Sequence, residues 1–135
     1  MLVDTNIWLE RLLEQERAEE VKYFLDAFPS DNFFITDFAF HSIGVTLCKL
    51  KKKDTLLQFV RDSFIDGSVQ LLHLRPVDST AITEAIEKYN LDFDDAYQYT
   101  VAEKYDLEIV SFDTDFDRTE RGRKTPQQIL ETLKL

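Results

Sequence analysis

Apolar residues along this chain follow two rhythms. Leu2-Val3, Phe33-Phe34-Ile35, Val69-Gln70-Leu71-Leu72-His73-Leu74 and Leu107 to Phe112 are short, nearly unbroken apolar runs. Such runs suit strands buried on both faces. Between them, apolar positions recur every three or four residues, the spacing of amphipathic helices. The first helix, with Thr5 as its cap, carries Ile7, Trp8, Leu12 and Leu13. Ala18, Val21, Phe24, Leu25 and Phe28 mark the second, and Pro29-Ser30-Asp31-Asn32 turns the chain after it. Thr36 or Asp37 caps the third, which places Phe38, His41, Val45 and Cys48 on one stripe. Leu56, Phe59, Val60, Ser63 and Phe64 follow on a helix that stops at Asp66-Gly67. Asp78 to Tyr89 is amphipathic, Asp94-Asp95 opens a helix over Ala96 to Tyr105, and Thr125-Pro126-Gln127-Gln128 is a capping box before Ile129, Leu130 and Leu133.

Strands alternating with helices predict an α/β sandwich on a mostly parallel sheet. No repeat, linker or composition break divides it, so one domain is expected over residues 1–135. Hydrophobic residues make up 44% of the 135, enough for a real core. The lone Cys48 forms no internal disulfide and fits a reducing compartment. No apolar run reaches membrane-span length. Asp4 and Glu10 interrupt any signal-peptide core, so a cytoplasmic protein is expected.

Charge narrows the function. With 26 acidic and 16 basic residues the net charge is −10. A protein that holds nucleic acid by its overall field is basic. Any such contact here must be local or mediated by a metal. Two basic clusters exist, Lys49 with Lys51, Lys52 and Lys53, and Arg118 with Arg121, Arg123 and Lys124. Each alone reads as a solvated face, but the second closely follows Asp113, where it is placed to guide a nucleic-acid backbone.

Position separates a few aspartates from the rest. Asp4 and Asp113 each end a predicted buried strand, and in an open parallel sheet the strand carboxyl ends form the ligand crevice. Asp95 opens the helix before the Asp113 strand. Each has a structural alternative: Asp4 as a helix cap, Asp94 and Asp95 as partners of a helix dipole, Asp113 as a turn residue. If Asp4, Asp95 and Asp113 cluster, their repulsion calls for a cation. Carboxylate-only ligation favours Mg²⁺ or Mn²⁺, and His41, His73 and Cys48 offer no zinc spacing. Mg²⁺ in such a site keeps positions open for phosphate oxygens, which points to phosphoryl transfer or phosphodiester hydrolysis. Asp113-x-Asp115-x-Asp117 is not a calcium loop, because Arg118 and Lys124 stand where Gly and Glu are needed. Its place near the C-terminus does not suit an aspartyl-phosphate phosphatase. Walker A, dinucleotide-glycine and G-x-S-x-G motifs are absent from the sequence. Phe38, Phe40, Phe59 and Phe64 read as core rather than as platforms for bases.

Asp4-Thr5-Asn6 after the opening strand, Asp95-Ala96 at a helix start, and Ser111-Phe112-Asp113-Thr114-Asp115-Phe116 together resemble the motifs of the PIN domain family, in order and across essentially the whole chain. The VapC-type small PIN proteins are the nearest in character. The resemblance implies a three-layer α/β/α sandwich and Mg²⁺- or Mn²⁺-dependent endoribonuclease activity on single-stranded or looped RNA. It also implies a homodimer and, for toxin members, a cognate antitoxin. An antitoxin would cover the helical face and place a basic residue in the acidic cleft. Asp4, Asp95 and Asp113 would be catalytic metal ligands, with Asp115 and Asp117 assisting. Thr5, Asn6 and Ser111 would orient a carboxylate or a metal-bound water and line the substrate's path, while Arg118 and Arg121 are expected to bind RNA from their place after Asp113. One departure stands out: the family's Glu on the helix after the second strand is matched by His41. Either His41 works as a ligand or proton carrier, or it is a core histidine on the Phe38–Val45 stripe with Asp37 supplying the missing charge, or the chain is a catalytically weakened RNA- or protein-binding module.

Overall fold

The computed structural model describes residues 1–134. Four strands, β1 (Leu2–Val3), β2 (Phe34–Thr36), β3 (Gln70–Leu72) and β4 (Ile109–Val110), form one sheet in the order β3-β2-β1-β4. Every pairing within it is parallel, with Leu2 opposite Phe34 and Ile109, and Val3 opposite Val110. The sheet is thus wholly parallel where a mostly parallel one was expected. The last two strands are shorter than their apolar runs, because the flanking residues pack or turn instead of pairing.

Seven α-helices surround the sheet: α1 (Thr5–Leu12), α2 (Ala18–Asp26), α3 (Asp37–Lys49), α4 (Lys53–Val60), α5 (Ser79–Tyr89), α6 (Phe93–Tyr105) and α7 (Pro126–Thr132). Alternation along each strand divides them between two layers. Val3, Ile35 and Val110 point to one face, where they pack with Ile7 and Trp8 of α1, Val21 and Phe24 of α2, Ile43 and Leu47 of α3, Phe59 of α4 and Ile129 of α7. Leu2 and Ile109 point to the other, against Ile82 and Ala85 of α5 and Tyr99, Val101 and Ala102 of α6. This is the three-layer α/β/α sandwich. No helix among the described residues is long and apolar enough to cross a membrane.

Several helix ends differ from expectation in ways that bear on function. Asp4, not Thr5, caps α1, and its carboxylate accepts the Thr5 N–H at 2.8 Å. Asp92 caps α6 by accepting the Asp95 N–H at 2.9 Å, so Asp95 lies inside the first turn rather than at the start. Thr36 caps α3 through the Ala39 N–H at 2.9 Å. The α3 stripe is misphased in the sequence reading. Ala39, Ile43 and Leu47 are the buried positions, while His41, Val45 and Cys48 are exposed. Apolar residues occur almost all round this helix, so periodicity alone does not say which side meets the sheet.

Candidate functional site: an acidic cavity at the carboxyl edge of the sheet

Parallel β1 and β4 are neighbours, so both release the chain at the same edge. Asp4 follows β1 directly, and Asp113 caps the 3₁₀ turn Thr114–Arg118 that follows β4. A crossover helix runs against its strands, which brings the first turn of α6, with Asp94 and Asp95, to that edge too. These four aspartates, with Thr5, Asn6, Leu9, Phe38, Ser42 and Gln98, line a cavity of about 260 Å³. Carboxylate oxygens of Asp95, Asp113 and Asp115 lie within 4.8 Å of one another.

Asp4 sits at the centre of a buried hydrogen-bond chain. Its Oδ1 accepts from the Thr5 backbone and from Gln98 Nε2, at 2.8 and 2.9 Å. Its Oδ2 accepts from Ser111 Oγ at 2.7 Å and Asn6 Nδ2 at 3.4 Å. Ser111 Oγ in turn accepts the Asp113 N–H at 2.9 Å. Asn6 Oδ1 accepts the Phe112 N–H at 3.2 Å, which ties α1 to the end of β4. Thr36 Oγ1 donates to Gln98 Oε1 at 2.6 Å, which links β2 to α6. Asp4 therefore fixes the turn that carries Asp113, and Gln98 holds Asp4 from behind. Gln98 is a site residue that the sequence does not single out, and Asp94 stands out there only as a partner of the helix dipole. The available signal was spacing: Gln98 lies three residues after Asp95, on the same helical face.

The electrostatics are those of acids crowded together, with Arg118 beside Asp115 at the cluster's rim. Burial, then the neighbouring Asp113, Asp92, Asp4 and Asp115, push Asp95 up to about 8. Burial also raises Asp4 above the ordinary carboxylate range, against the pull of its hydrogen bonds from Ser111, Gln98 and Thr5. Asp94 is raised by burial and by Asp92. Converging carboxylate oxygens fit a hard divalent cation, which would restore the charged form of each group. No nitrogen or sulfur donor joins the cluster among the described residues.

Other expected site residues lie elsewhere. His41 is exposed and outside the cavity lining, and Ser42 is the α3 residue that faces the carboxylates beside Phe38. One residue on a helix is a rotation of about 100°. His41 therefore belongs neither to the cavity nor to the core. A direct check follows. Ser42→Glu should lower the melting temperature of metal-free protein and tighten Mn²⁺ binding about tenfold by calorimetry, roughly 1.4 kcal/mol. His41→Glu should change neither.

The arginines are committed to the fold. Arg118 donates to the Tyr89 and Asn90 carbonyls at 3.0 and 2.8 Å and pairs with Asp115 at 3.3 Å. Arg123 pairs with Asp117 at 3.1 Å and donates to the Ser111 carbonyl at 3.2 Å. Arg121 pairs with Asp106, which precedes β4, so it sits at the opposite edge of the sheet from the cavity. Lys124 bridges Val110 and extends the β4 side of the sheet through its backbone. The sequence grouped these side chains by number, but the turns after β4 fan them apart.

Comparison with known proteins agrees with this architecture. The family model described as "PIN domain" matches residues 1–122. A toxin–antitoxin complex from Klebsiella pneumoniae contains a similar chain, with a TM-score of 0.73 at 22% identity over 93% of this chain and 96% of that one. FitAcB from Neisseria gonorrhoeae gives 0.72 at 20% identity, over 93% and 97%. VapC20 from Mycobacterium tuberculosis, a sarcin-ricin-loop-cleaving toxin, gives 0.70 at 18% identity, over 86% and 92%. No curated protein matches the sequence significantly.

Proposed function

Because the chain belongs to the PIN domain family, we propose that it is a divalent-metal-dependent endoribonuclease, the toxin of a toxin–antitoxin pair. The observation that carries this reading is the convergence of Asp95, Asp113 and Asp115 oxygens within 4.8 Å, beside buried Asp4. A bound Mg²⁺ or Mn²⁺ supplies charge neutralisation and Lewis acidity for in-line hydrolysis of a phosphodiester. In this reading Asp95, Asp113 and Asp115 hold the cation. Asp4 positions Asp113 through the Ser111 hydroxyl at the cavity floor. Thr5 and Asn6 lie along the wall where a phosphate would approach, and Asn6 also braces the end of β4. Arg118, anchored on the Tyr89 and Asn90 carbonyls, holds its guanidinium beside Asp115, where it would meet a phosphate. Arg121, held on Asp106 at the other edge of the sheet, is given no substrate role in this reading. The acidic cavity invites a cationic antitoxin side chain, consistent with the net charge of −10 and with the toxin–antitoxin neighbours. The testing experiment is cleavage of end-labelled RNA by the purified chain. Mg²⁺ or Mn²⁺ should support internal cuts and excess EDTA should stop them; no cutting with either metal defeats the proposal.

A second reading is favoured by one observation, the hydroxyl of Ser42 where the α3 wall meets the carboxylates. A chain with one acid fewer in its cavity would serve as an RNA- or protein-binding module. The same assay separates the two, since a binder retains RNA without shortening it.

A further inference from the structure

Three aromatic rings lead from the acidic cavity out to solvent. Phe38, in the first turn of α3, lines the cavity next to Asp94 and Asp95. Its ring lies 6.0 Å from that of Tyr97, at 40°. Tyr97 lies 6.2 Å from Phe93, at 37°. Phe93 opens α6 and is 53% exposed. Tyr97 is held rigidly: its hydroxyl donates to Asp37 Oδ1 at 2.8 Å and accepts the Leu74 N–H at 2.9 Å. The strip is therefore braced from α3 and from the chain beyond β3, and Phe38 is not the core residue its sequence context suggested.

Within the fold, the ring at position 93 packs on Tyr97, four residues on, and more than half of it stays open to solvent. Phe93 belongs to neither core cluster, yet it stands in the same helical turn as Asp94 and Asp95. A net charge of −10 gives no overall attraction for phosphates, so binding gains from a term independent of charge beside the local and metal-mediated ones. Base stacking on aromatic side chains is such a term, worth about 1–3 kcal/mol per base. It is open only to bases whose faces are free. Resting on the ribonuclease reading above, we propose that Phe38, Tyr97 and Phe93 form a stacking shelf for an unpaired base of the RNA strand whose backbone crosses the acidic cavity. The base lies on the outer face of Phe93, and Tyr97 and Phe38 fix the angle of that face. The shelf would give the preference for unpaired RNA, already implied by the family resemblance, a physical basis in these three side chains.

The test uses the purified chain with Mg²⁺ and a single-stranded RNA carrying 2-aminopurine, mixed by stopped flow and read before turnover. Wild type should quench the probe, and a fully paired duplex should give no quench. Phe93→Ala should abolish the quench and weaken binding about tenfold, whereas Phe93→Trp should preserve both. Circular dichroism melting confirms that the variants are folded. Wild-type affinity and quench in Phe93→Ala overturn the shelf. So does sedimentation showing that Phe93→Ala splits a dimer with RNA affinity unchanged, since the rings would then belong to a subunit interface. The two proposals fail separately. A wild type that binds and quenches but never cuts keeps the shelf and loses the nuclease; equal cutting of subsaturating RNA by wild type and Phe93→Ala does the reverse.

Discussion

Metal-free protein should become less stable as pH rises from about 4 to about 8, and Mg²⁺ or Mn²⁺ should reverse this, more strongly at pH 8 than at pH 5. The sign follows from Asp95, whose carboxyl is pushed up to about 8 from an ordinary 3.8 by burial and by the surrounding aspartates. Between those values the folded chain keeps a proton that the unfolded chain has released. Stability therefore falls with pH across that window and levels off above it. Asp4, raised by burial, adds to the same slope. A cation binds the charged carboxylates, so its stabilising effect is largest where the metal-free fold suffers most. Melting temperatures in EDTA and in millimolar metal, from pH 4 to 9, measure both trends. A flat metal-free profile, or a metal effect independent of pH, would remove the physical basis of the site. Asp95→Asn should flatten the slope and erase most of the metal effect. Asp113→Asn should keep part of the slope, since burial is the leading cause at Asp95 and survives that change. Both variants should bring RNA cleavage to background while remaining folded, because neither side chain belongs to a core cluster.

Parts of this architecture were legible in the residues themselves, for identifiable reasons. Leu2-Val3 and Ile109-Val110 are apolar on consecutive positions because each strand is covered on both faces, and the aspartate that follows each one marks the strand end. Strand ends in a parallel sheet share an edge, so Asp4 and Asp113 were linked by topology before any distance was known. Asp95 needed one further fact, that the chain from β3 to β4 returns so that α6 starts at that edge. The phase of α3 was hidden, because Phe38, Phe40, Ile43, Val45 and Leu47 leave almost no polar side to exclude. His41 was consequently placed one residue away from the position that Ser42 holds. The arginines after Asp113 misled for another reason. Nearness in sequence suggested a common patch, but carbonyls at Tyr89, Asn90 and Leu107 and the acids Asp106, Asp115 and Asp117 each claim one. Gln98 was invisible for want of contrast, being one polar residue in a helix with polar residues on several sides.

Asp4→Asn and Asp4→Ala should part company, and the difference tests whether Asp4 acts by positioning its neighbours. The Asp4 carboxylate is offered four donors, from Thr5, Gln98, Asn6 and Ser111. Asparagine keeps one acceptor oxygen, which serves Thr5 and Gln98, and turns an NH₂ toward Ser111. That hydroxyl must then accept from residue 4 while it already accepts from the Asp113 backbone, so its own proton loses its acceptor and the Asp113 turn loosens. The stability cost is partly offset, since Asn removes a carboxylate whose charge burial disfavours. We expect Asp4→Asn to melt within a few degrees of wild type at pH 7 and to bind Mn²⁺ about ten- to a hundredfold more weakly, the range found when partners that orient metal ligands are removed. Alanine strands buried donors on Gln98 and Ser111 and leaves a void among them, at a cost of about 3 kcal/mol. Its melting temperature should drop clearly as metal affinity falls. Ser111→Ala separates the routes further: the Asp4 carboxylate stays but loses a donor that favours its charged form, the Asp113 N–H loses its acceptor, and Mn²⁺ affinity should fall nearly as far as in Asp4→Asn. Wild-type Mn²⁺ affinity in Ser111→Ala would show that Asp4 acts through its charge alone, with no part for the hydroxyl between it and Asp113.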